Sequence, residues 1–177
     1  MRAVAAALGT GAGSLYRYLS ARDDLLDLMC DAVVAELRPF PPADEDWLDA
    51  MLLLGRRQLD LHRRHPWLLD LAPRATGIGP ESLAWFDACL EILAPVPAPP
   101  TAKFEAIALM TGVVTLVARS EEAPRSSPFE GLDLAPYPHL VATLGAPAGR
   151  PPAQDLFERT LRVLLTGLLV EEPGKDG

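Results

Sequence analysis

Five residues near the N-terminus, Gly9-Thr10-Gly11-Ala12-Gly13, constrain the fold of this chain more than any other stretch. Gly9 follows an apolar segment, Met1 to Leu8, at the place where helices commonly end with a left-handed residue. Gly11 and Gly13 keep the next turn small, so that a backbone can approach another surface closely. Hydroxyl groups, aromatic rings and guanidinium groups follow, with no acid among them, at Ser14, Tyr16, Arg17, Tyr18 and Arg22. A helix, a glycine turn and a second helix form a helix-turn-helix, whose second helix enters the major groove of DNA.

The longer run from Leu8 to Leu26 resembles a known family. Its pattern, Leu-Gly-x-x-x-Gly-Ser-Leu-Tyr-Arg-Tyr-Leu-x-x-Arg-Asp-x-Leu-Leu, is similar to the recognition region of the tetracycline-repressor (TetR) family of transcription regulators. The resemblance is dense over residues 3–29, and the later chain matches only in layout. It implies that Tyr16 and Arg22 contact phosphates, and that the groove is faced by Ala12, Gly13, Ser14, Arg17 and Tyr18. The alternative is an ordinary helical hairpin with two surface tyrosines.

Members of this family have a further helix before the segment that corresponds to Met1–Leu8. Its absence here predicts either a shortened form or a start that was set at an internal methionine. Without that helix, part of the apolar face formed by Val4, Leu8, Leu15 and Leu19 would lack cover. The alternative function is therefore a dimeric helical ligand-binding protein that has lost DNA binding.

Composition and charge favour a helical body with a small basic tip. Alanine and leucine dominate, whereas β-branched and aromatic residues are sparse, which favours helices over strands. The net charge of −8 argues against a general nucleic-acid coat. Residues 1–22 nevertheless hold Arg2, Arg17 and Arg22 and no acid, although three arginines in such a stretch are also unremarkable on their own.

Apolar spacing and proline breaks predict an all-α fold in two parts. Residues 1–38 would form the helix-turn-helix region, incomplete at its N-terminus, with a linking helix from Ser20 to Arg38 that Ser20 and Asp23 cap. Residues 44–171 would form a helical ligand-binding and dimerisation domain. Its predicted helices run from Trp47 (capped by Asp44 or Asp46) to before Pro66, then over Trp67–Leu71, Pro80–Leu93, Thr101–Arg119, Tyr137–Leu144 and Gln154–Val170.

The helices at residues 101–119 and 154–170 are the most apolar, and each has a Thr-Gly pair near its middle. Glycine in a helix centre costs ~1 kcal/mol relative to alanine, and close packing against another helix would offset that cost. The resemblance implies that the last two long helices of each subunit form a four-helix dimer interface. The alternative is that both helices fill the core of one monomer.

Large apolar faces with a few polar tips are typical of small-molecule sites. The candidate pocket residues are His62, His65, Trp67, Trp85, Phe86, Phe104, Met110 and Tyr137, together with His139. Plain aromatic core packing is the alternative for each of them. His62 and His65 have the spacing of a metal pair, but no third His or Cys supports them, and we expect neither a metal nor a cofactor.

The remaining features argue against other protein classes. No Gly-x-Ser-x-Gly, His-Glu-x-x-His or phosphate-loop motif is present, so we expect no enzyme. Cys30 and Cys89 fall on helical patterns without Cys-x-x-Cys spacing, as expected for core residues in a reducing cytoplasm. The apolar runs look too short or too interrupted for a membrane span.

The leading hypothesis is a repressor that binds a double-stranded DNA operator as a homodimer and is released by a largely apolar small-molecule effector.

Overall fold

The computed structural model describes residues 1–17, 19, 21–71, 77–122, 129–145 and 155–170. Within these ranges all regular secondary structure is helical, which confirms the predicted all-α fold. The helices are α1 Arg2–Ala7, α2 Ala12–Leu15, α3 Arg22–Val34, a 3-10 turn Ala35–Leu37, α4 Trp47–Arg64, α5 Leu68–Leu71, α6 Pro80–Ile92, α7 Pro100–Glu122, α8 Pro138–Leu144 and α9 Leu156–Leu169.

Helix α1 ends as its sequence predicts, because Gly9 adopts the left-handed conformation with φ +66°. The N–H of Gly9 donates to the carbonyl of Ala6 (3.1 Å), and the N–H of Thr10 donates to that of Ala5 (2.9 Å). This pair of bonds is the Schellman motif, which satisfies carbonyls that the helix itself leaves open. Helix α2 is short, since it ends at Leu15 and a turn follows.

The start of α3 differs from the prediction by one residue. The N-cap is Ala21, whose N–H donates to the Asp24 carboxylate at 3.0 Å, so the predicted pairing of Ser20 with Asp23 is wrong. An alanine has no side-chain acceptor, so only this half of a capping box forms. Ser20 itself lies outside the described residues. On this helix Met29 is exposed, whereas Asp31 is buried.

Helices α4, α7 and α9 pack together and form the centre of the body. Their fully buried side chains include Met51, Leu54, Ile107, Met110, Val114, Leu161 and Leu165. At Gly55 the helices approach most closely, since an added Cβ would lie 2.6 Å from Leu161 Cδ1 and 3.7 Å from Met110 Sδ. Burial of this apolar surface is the main source of stability in such a body.

The capping predictions for the body helices have mixed outcomes. Asp46 caps α4 as predicted, because its carboxylate accepts from the N–H groups of Leu48 and Asp49, both at 3.0 Å. Pro80 occupies the first turn of α6, also as predicted. Thr101 does not cap α7, because the helix already includes Pro100. Helix α9 is capped by Asp155, which accepts from the N–H of Phe157 at 3.0 Å.

Helix α7 is the one helix among the described residues that is long and apolar enough, by length and composition, to cross a membrane. The prediction that the apolar runs are too short or too interrupted for a membrane span is therefore wrong for the length and composition of α7. In the fold, α7 packs against α4 and α9, and its side chains at Ala106, Ile107, Met110 and Val114 are fully buried. One face of α7 is therefore a core face, whereas the apolar side chains of Phe104, Leu109 and Leu116 on the rest of the helix are exposed.

Candidate ligand cavity and DNA-reading segment

A cavity of about 290 Å³ lies between α3, α4, α6 and α7. Its walls are mostly apolar or aromatic, which is typical of sites that bind small organic molecules. The lining residues are Asp27, Cys30, Asp31, Val34, Leu37, Gln58, Leu61, His62, Leu68, Gly77, Ile78, Gly79, Ser82, Trp85, Phe86, Thr111 and Thr115.

Three polar atoms in this wall are buried and lack a hydrogen-bond partner within the described part of the chain. They are Gln58 Oε1, His62 Nδ1 and Trp85 Nε1. The residues are well enclosed, since Trp85 is 5% exposed and His62 is 8% exposed. A buried polar group without a partner costs roughly 1–3 kcal/mol, so such groups are uncommon without a reason. All three residues contribute to the cavity lining, while the three atoms themselves are enclosed by the protein.

The described part of the cavity wall holds two carboxylates and one imidazole. Asp27 and Asp31 contribute carboxylates, and none of the described lining residues is lysine or arginine. Burial, and then the nearby positive charge of Arg119, lower the pKa of His62. Its imidazole is therefore neutral at neutral pH and adds no positive charge.

One wall of the cavity is fixed by a contact between two helices. The carboxylate of Asp31 on α3 accepts hydrogen bonds from the N–H (2.8 Å) and the hydroxyl (2.9 Å) of Ser82, and from the N–H of Glu81 (3.2 Å). These groups belong to the first turn of α6, so Asp31 serves as a cap supplied by another helix. Gly79 permits this approach, since an added Cβ there would lie 2.1 Å from Asp31 Cγ.

The structure brings only some of the predicted pocket residues to the cavity. His62, Trp85 and Phe86 line it, and the rings of Trp85 and Phe86 meet edge to face with centroids 5.0 Å apart. His65 and Trp67 do not line it: His65 Nε2 lies 2.8 Å from Glu36 Oε1, and its ring stands against that of Trp67.

The other predicted pocket residues lie elsewhere. Phe104 and Tyr137 are 52% and 56% exposed, His139 is exposed, and Met110 is fully buried in the helical core. Phe104, Met110 and Tyr137 do not line this cavity, because composition alone does not tell which way a helix face turns. Among the described residues, no three His, Cys, Asp or Glu side chains are grouped so that they could hold a metal ion.

Gln58 lines the cavity although its sequence context did not predict this. It lies one helical turn before His62 on the same side of α4, among apolar neighbours. A polar residue on the apolar face of a predicted helix is the sequence feature that could have indicated its place in the cavity.

The candidate DNA contacts lie in residues 12–22, called here the DNA-reading segment. This segment presents polar groups at the surface. Tyr16, Arg17 and Arg22 are exposed, and Arg17 Nη2 donates to the hydroxyl of Ser14 at 3.3 Å. Gly13 is exposed as well, whereas Leu19 is buried as predicted. Tyr18 and the side chain of Ala12 lie outside what the structure describes. The exposed arginines have the chemistry that contacts with phosphates require.

A second concave surface runs along α7 and α9. This α7/α9 groove encloses about 590 Å³ and is open and mostly apolar. It is lined by Leu109, Leu156, Arg159, Thr160, Val163, Leu164, Gly167 and Leu168. Phe104 and Leu116 are further exposed apolar residues of α7. At Gly112 and Gly167 an added Cβ would meet no atom of the described protomer within 4 Å, so neither glycine is required by a contact inside the subunit.

Comparison with known proteins agrees with this architecture. Residues 39–171 match the family model described as "Tetracyclin repressor-like, C-terminal domain". The chain is 38% identical over 122 residues to the HTH-type transcriptional repressor DrrR1 of Streptomyces coeruleorubidus, which covers 68% of this chain and 45% of that protein. It is 36% identical over 84 residues to an HTH-type transcriptional regulator of Saccharopolyspora erythraea, or 48% of this chain and 36% of the relative. The matched parts thus span less than half the length of these relatives.

Solved structures with the same fold include ActR of Streptomyces coelicolor. Its apo form has a TM-score of 0.74 and 25% identity, with coverage of 96% of this chain and 85% of ActR. ActR in complex with actinorhodin has the same TM-score and identity, with 96% and 86% coverage. The all-helical body therefore has the same fold as this regulator. The chain belongs to the tetracycline-repressor family, as its N-terminal pattern had predicted.

Proposed function

We propose that this chain is a ligand-responsive transcription regulator, and specifically a repressor that a small molecule releases from its operator. The observation that carries this proposal is the position of α3. This helix follows the DNA-reading segment directly and also forms one wall of the cavity, through Asp27, Cys30, Asp31 and Val34. A molecule in the cavity therefore touches the helix that holds the reading segment.

The contact of Asp31 with Ser82 extends this connection to α6. Trp85 and Phe86 of α6 face the cavity, while the first turn of the same helix is held by α3. A ligand that moves α6 would move α3 with it. For release, the ligand must bind the conformation with low DNA affinity better than the other, because only differential affinity shifts such an equilibrium.

The proposed DNA contacts are those of the exposed reading segment. Tyr16 and Arg22 would contact phosphates, while Gly13, Ser14 and Arg17 would face the major groove together with Ala12 and Tyr18. Phosphate contacts set the position of the protein on the duplex, and groove contacts select the sequence. The small size of Ala12 and Gly13 leaves base recognition to Ser14, Arg17 and Tyr18.

The proposed dimer forms through α7 and α9, with a second copy of this chain on the α7/α9 groove. Three observations support it: the exposed apolar side chains of both helices, the two glycines that no contact within the subunit requires, and the family membership. A two-fold pair of reading segments would match two half-sites on the operator. As a DNA-bound regulator without a catalytic motif, the protein would act in the cytoplasm and would not be an enzyme.

A gel-shift titration with duplex DNA from beside the gene tests the proposal. We expect wild-type protein to bind, and Arg17→Ala and Tyr16→Ala to bind more weakly, because each removes a proposed contact with DNA. Arg56→Ala is the matched control, because it removes a cation whose partner, Glu158 at 2.6 Å, lies on the body.

Unchanged affinity in both reading-segment variants would refute the assignment of that segment. Absence of DNA binding by the wild type, with ligand binding retained, would instead favour the alternative of a dimeric ligand-binding protein without DNA recognition.

A further inference from the structure

We infer that small molecules enter the cavity between the C-terminal ends of α4 and α7, where His62 blocks the way and an ion pair between Arg63 and Glu121 holds the entrance closed. This rests on the proposed function only in that the effector is the molecule that passes. Three features support it: a surface pocket that shares His62 with the cavity, the residues along the facing sides of the two helices, and the geometry of the ion pair.

A surface pocket of about 190 Å³ lies at the C-terminal ends of α4 and α7. It is lined by His62, Arg63, Pro66, Ala118, Glu121 and Glu122. Among the residues that the structure describes, His62 is the one that lines both this pocket and the cavity. Because His62 is only 8% exposed, it stands between the two spaces and closes the way from one to the other.

The facing sides of α4 and α7 lead from the cavity to the surface pocket. Gln58 and His62 are four residues apart and share one side of α4. A matching side of α7 carries residues at spacings of four, three and four, namely Thr111, Thr115, Ala118 and Glu122. The two threonines line the cavity, whereas Ala118 and Glu122 line the surface pocket. One continuous side of α7 therefore borders both spaces.

The polar atoms on these sides do not tie the two helices together. The hydroxyls of Thr111 and Thr115 donate within α7, to the carbonyls of Ile107 (3.0 Å) and Thr111 (2.9 Å). On α4, Gln58 Oε1 and His62 Nδ1 have no hydrogen-bond partner in the described part of the chain. Rotation of the His62 ring would therefore break no hydrogen bond of Nδ1, and side-chain rotation of this kind is fast in proteins.

The ion pair crosses the outer end of this route. Arg63 on α4 donates to Glu121 on α7 through two bonds, from Nε to Oε2 at 2.8 Å and from Nη2 to Oε1 at 2.6 Å. A bidentate pair of this kind fixes the orientation of both groups. Asp60, one turn earlier on α4, accepts from Arg63 Nη1 at 2.8 Å and holds the guanidinium in place. Both members of the pair line the surface pocket, so the pair joins its two sides.

This ion pair can open while α7 stays attached to the body. The side chains of Arg63 and Glu121 are 50% and 41% exposed, so water can replace the bonds that they lose. Two residues before Glu121, the guanidinium of Arg119 donates to the carbonyl of Leu69 and keeps α7 in contact with α5. Opening therefore needs only the separation of two surface side chains and the rotation of His62 into the surface pocket.

Quenching of Trp85 fluorescence by acrylamide measures this entry. Trp85 lines the cavity and is 5% exposed, and acrylamide is a small neutral molecule that quenches by contact with the indole ring. In the full chain, Trp47→Phe and Trp67→Phe leave Trp85 as the only tryptophan. We expect Glu121→Gln in this background to raise the bimolecular quenching constant by about threefold, which is the scale of one exposed ion pair.

The matched control is Glu158→Gln. Glu158 pairs with Arg56 of α4 at 2.6 Å and is exposed to a similar degree, but neither residue lines the cavity or the surface pocket. This control should leave the quenching constant unchanged, whereas His62→Ala should raise it more than Glu121→Gln does. Raising the salt concentration from roughly 0.05 to 0.5 M should speed quenching while Glu121 is present and not in Glu121→Gln, because salt screens an exposed ion pair.

An unchanged quenching constant in Glu121→Gln would overturn the inference, because acrylamide would then enter elsewhere, for example past the exposed Ile78. An equal rise in Glu121→Gln and Glu158→Gln would also overturn it, since both would reflect general loosening. If the single-tryptophan background does not fold, as judged by circular dichroism, the solvent exchange rate of the Trp85 indole N–H gives the same comparison by nuclear magnetic resonance in the otherwise wild-type chain. These measurements need neither operator nor effector, so the entrance can stand where DNA binding fails and can fail where DNA binding holds.

Discussion

The carboxylate of Asp31 caps a helix that begins about fifty residues later, through the N–H and hydroxyl of Ser82 at 2.8 and 2.9 Å. Most helix caps come from the residue just before the helix, as Asp46 and Asp155 do here for α4 and α9. At α6 that position is Gly79, which has no side chain to offer. The cap therefore depends on tertiary structure, and it joins the linking helix α3 to the wall of the cavity.

Replacing Asp31 tests the contact between α3 and α6. We expect Asp31→Ala to lower the free energy of unfolding by about 1–2 kcal/mol, because the first N–H groups of α6 lose their acceptor. Urea unfolding followed by circular dichroism measures the change. The matched control is Asp46→Ala, which removes a local cap of α4 but leaves the contact between α3 and α6. If the contact between α3 and α6 couples ligand binding to DNA binding, only Asp31→Ala should reduce the effect of the ligand on DNA affinity. An equal reduction in both variants would show that the contact is merely structural.

Gly79 and Asp31 should behave as a coupled pair. Gly79→Ala places a Cβ 2.1 Å from Asp31 Cγ, so the cap must open or the helices must separate. We expect a loss of about 2–3 kcal/mol in the wild-type background and a much smaller loss in the Asp31→Ala background. A double-mutant cycle in urea measures this difference, and additive effects would contradict the close contact.

Gly55 should resist substitution more than the exposed helix glycines. An added Cβ would lie 2.6 Å from Leu161 Cδ1 where α4 meets α9, so Gly55→Ala should destabilise the protein by about 1–3 kcal/mol through overpacking. The paired variant Gly55→Ala/Leu161→Val should recover part of this loss, because it removes a methylene near the clash. A thermal scan of both variants against the wild type would measure the effect, and a stabilised Gly55→Ala would exclude the tight crossing.

Gly112 and Gly167 provide a test of the α7/α9 dimer. In an isolated protomer, either change to alanine should stabilise the helix by up to ~1 kcal/mol, since the new Cβ meets nothing nearby. In a dimer whose helices cross closely at these positions, the same methyl groups would clash with the partner. We therefore expect the double variant to raise the dimer dissociation constant in sedimentation equilibrium. Unchanged association would place the interface elsewhere.

The pKa of His62 predicts how stability depends on pH. Burial, and then Arg119, lower this pKa below the ordinary value of 6.5, so the unfolded chain takes up the proton more readily than the folded one. The contribution of neutral His62 is thus present above the unfolded pKa, and it is lost as pH falls from there towards the folded pKa. The urea midpoint should drop between about pH 7.5 and 5.5, and it should drop less in His62→Gln. An identical drop in both proteins would remove His62 as the cause.

Two surface carboxyl groups act in a lower pH range. Hydrogen bonds from Arg64 and from Arg63, respectively, lower the pKa values of Glu36 and Glu121 below their ordinary 4.5. Their contributions are present above that value and are lost as pH falls through the folded pKa. They therefore leave the interval used for His62 unaffected.

The structural features that could be predicted from the sequence are those with a local cause. Gly9, Asp46 and Pro80 were correctly assigned because helix ends follow from a few adjacent residues. The cap at Asp31 was not predictable in this way, since its partner lies on another helix. For the cavity, Trp85 and His62 were found by residue type, whereas Phe104 and Tyr137 turned outward because the orientation of a helix face depends on tertiary packing. Gln58 was missed because a single polar residue carries little weight in an amphipathic pattern.

The position of helix α3 makes the two proposed binding events thermodynamically reciprocal. The same helix borders the cavity and follows the DNA-reading segment, so the proposed binding events share one structural element. By linkage, the factor by which the effector weakens operator binding equals the factor by which the operator weakens effector binding. Protein bound to the operator would then bind the effector more weakly than free protein does, by that same factor.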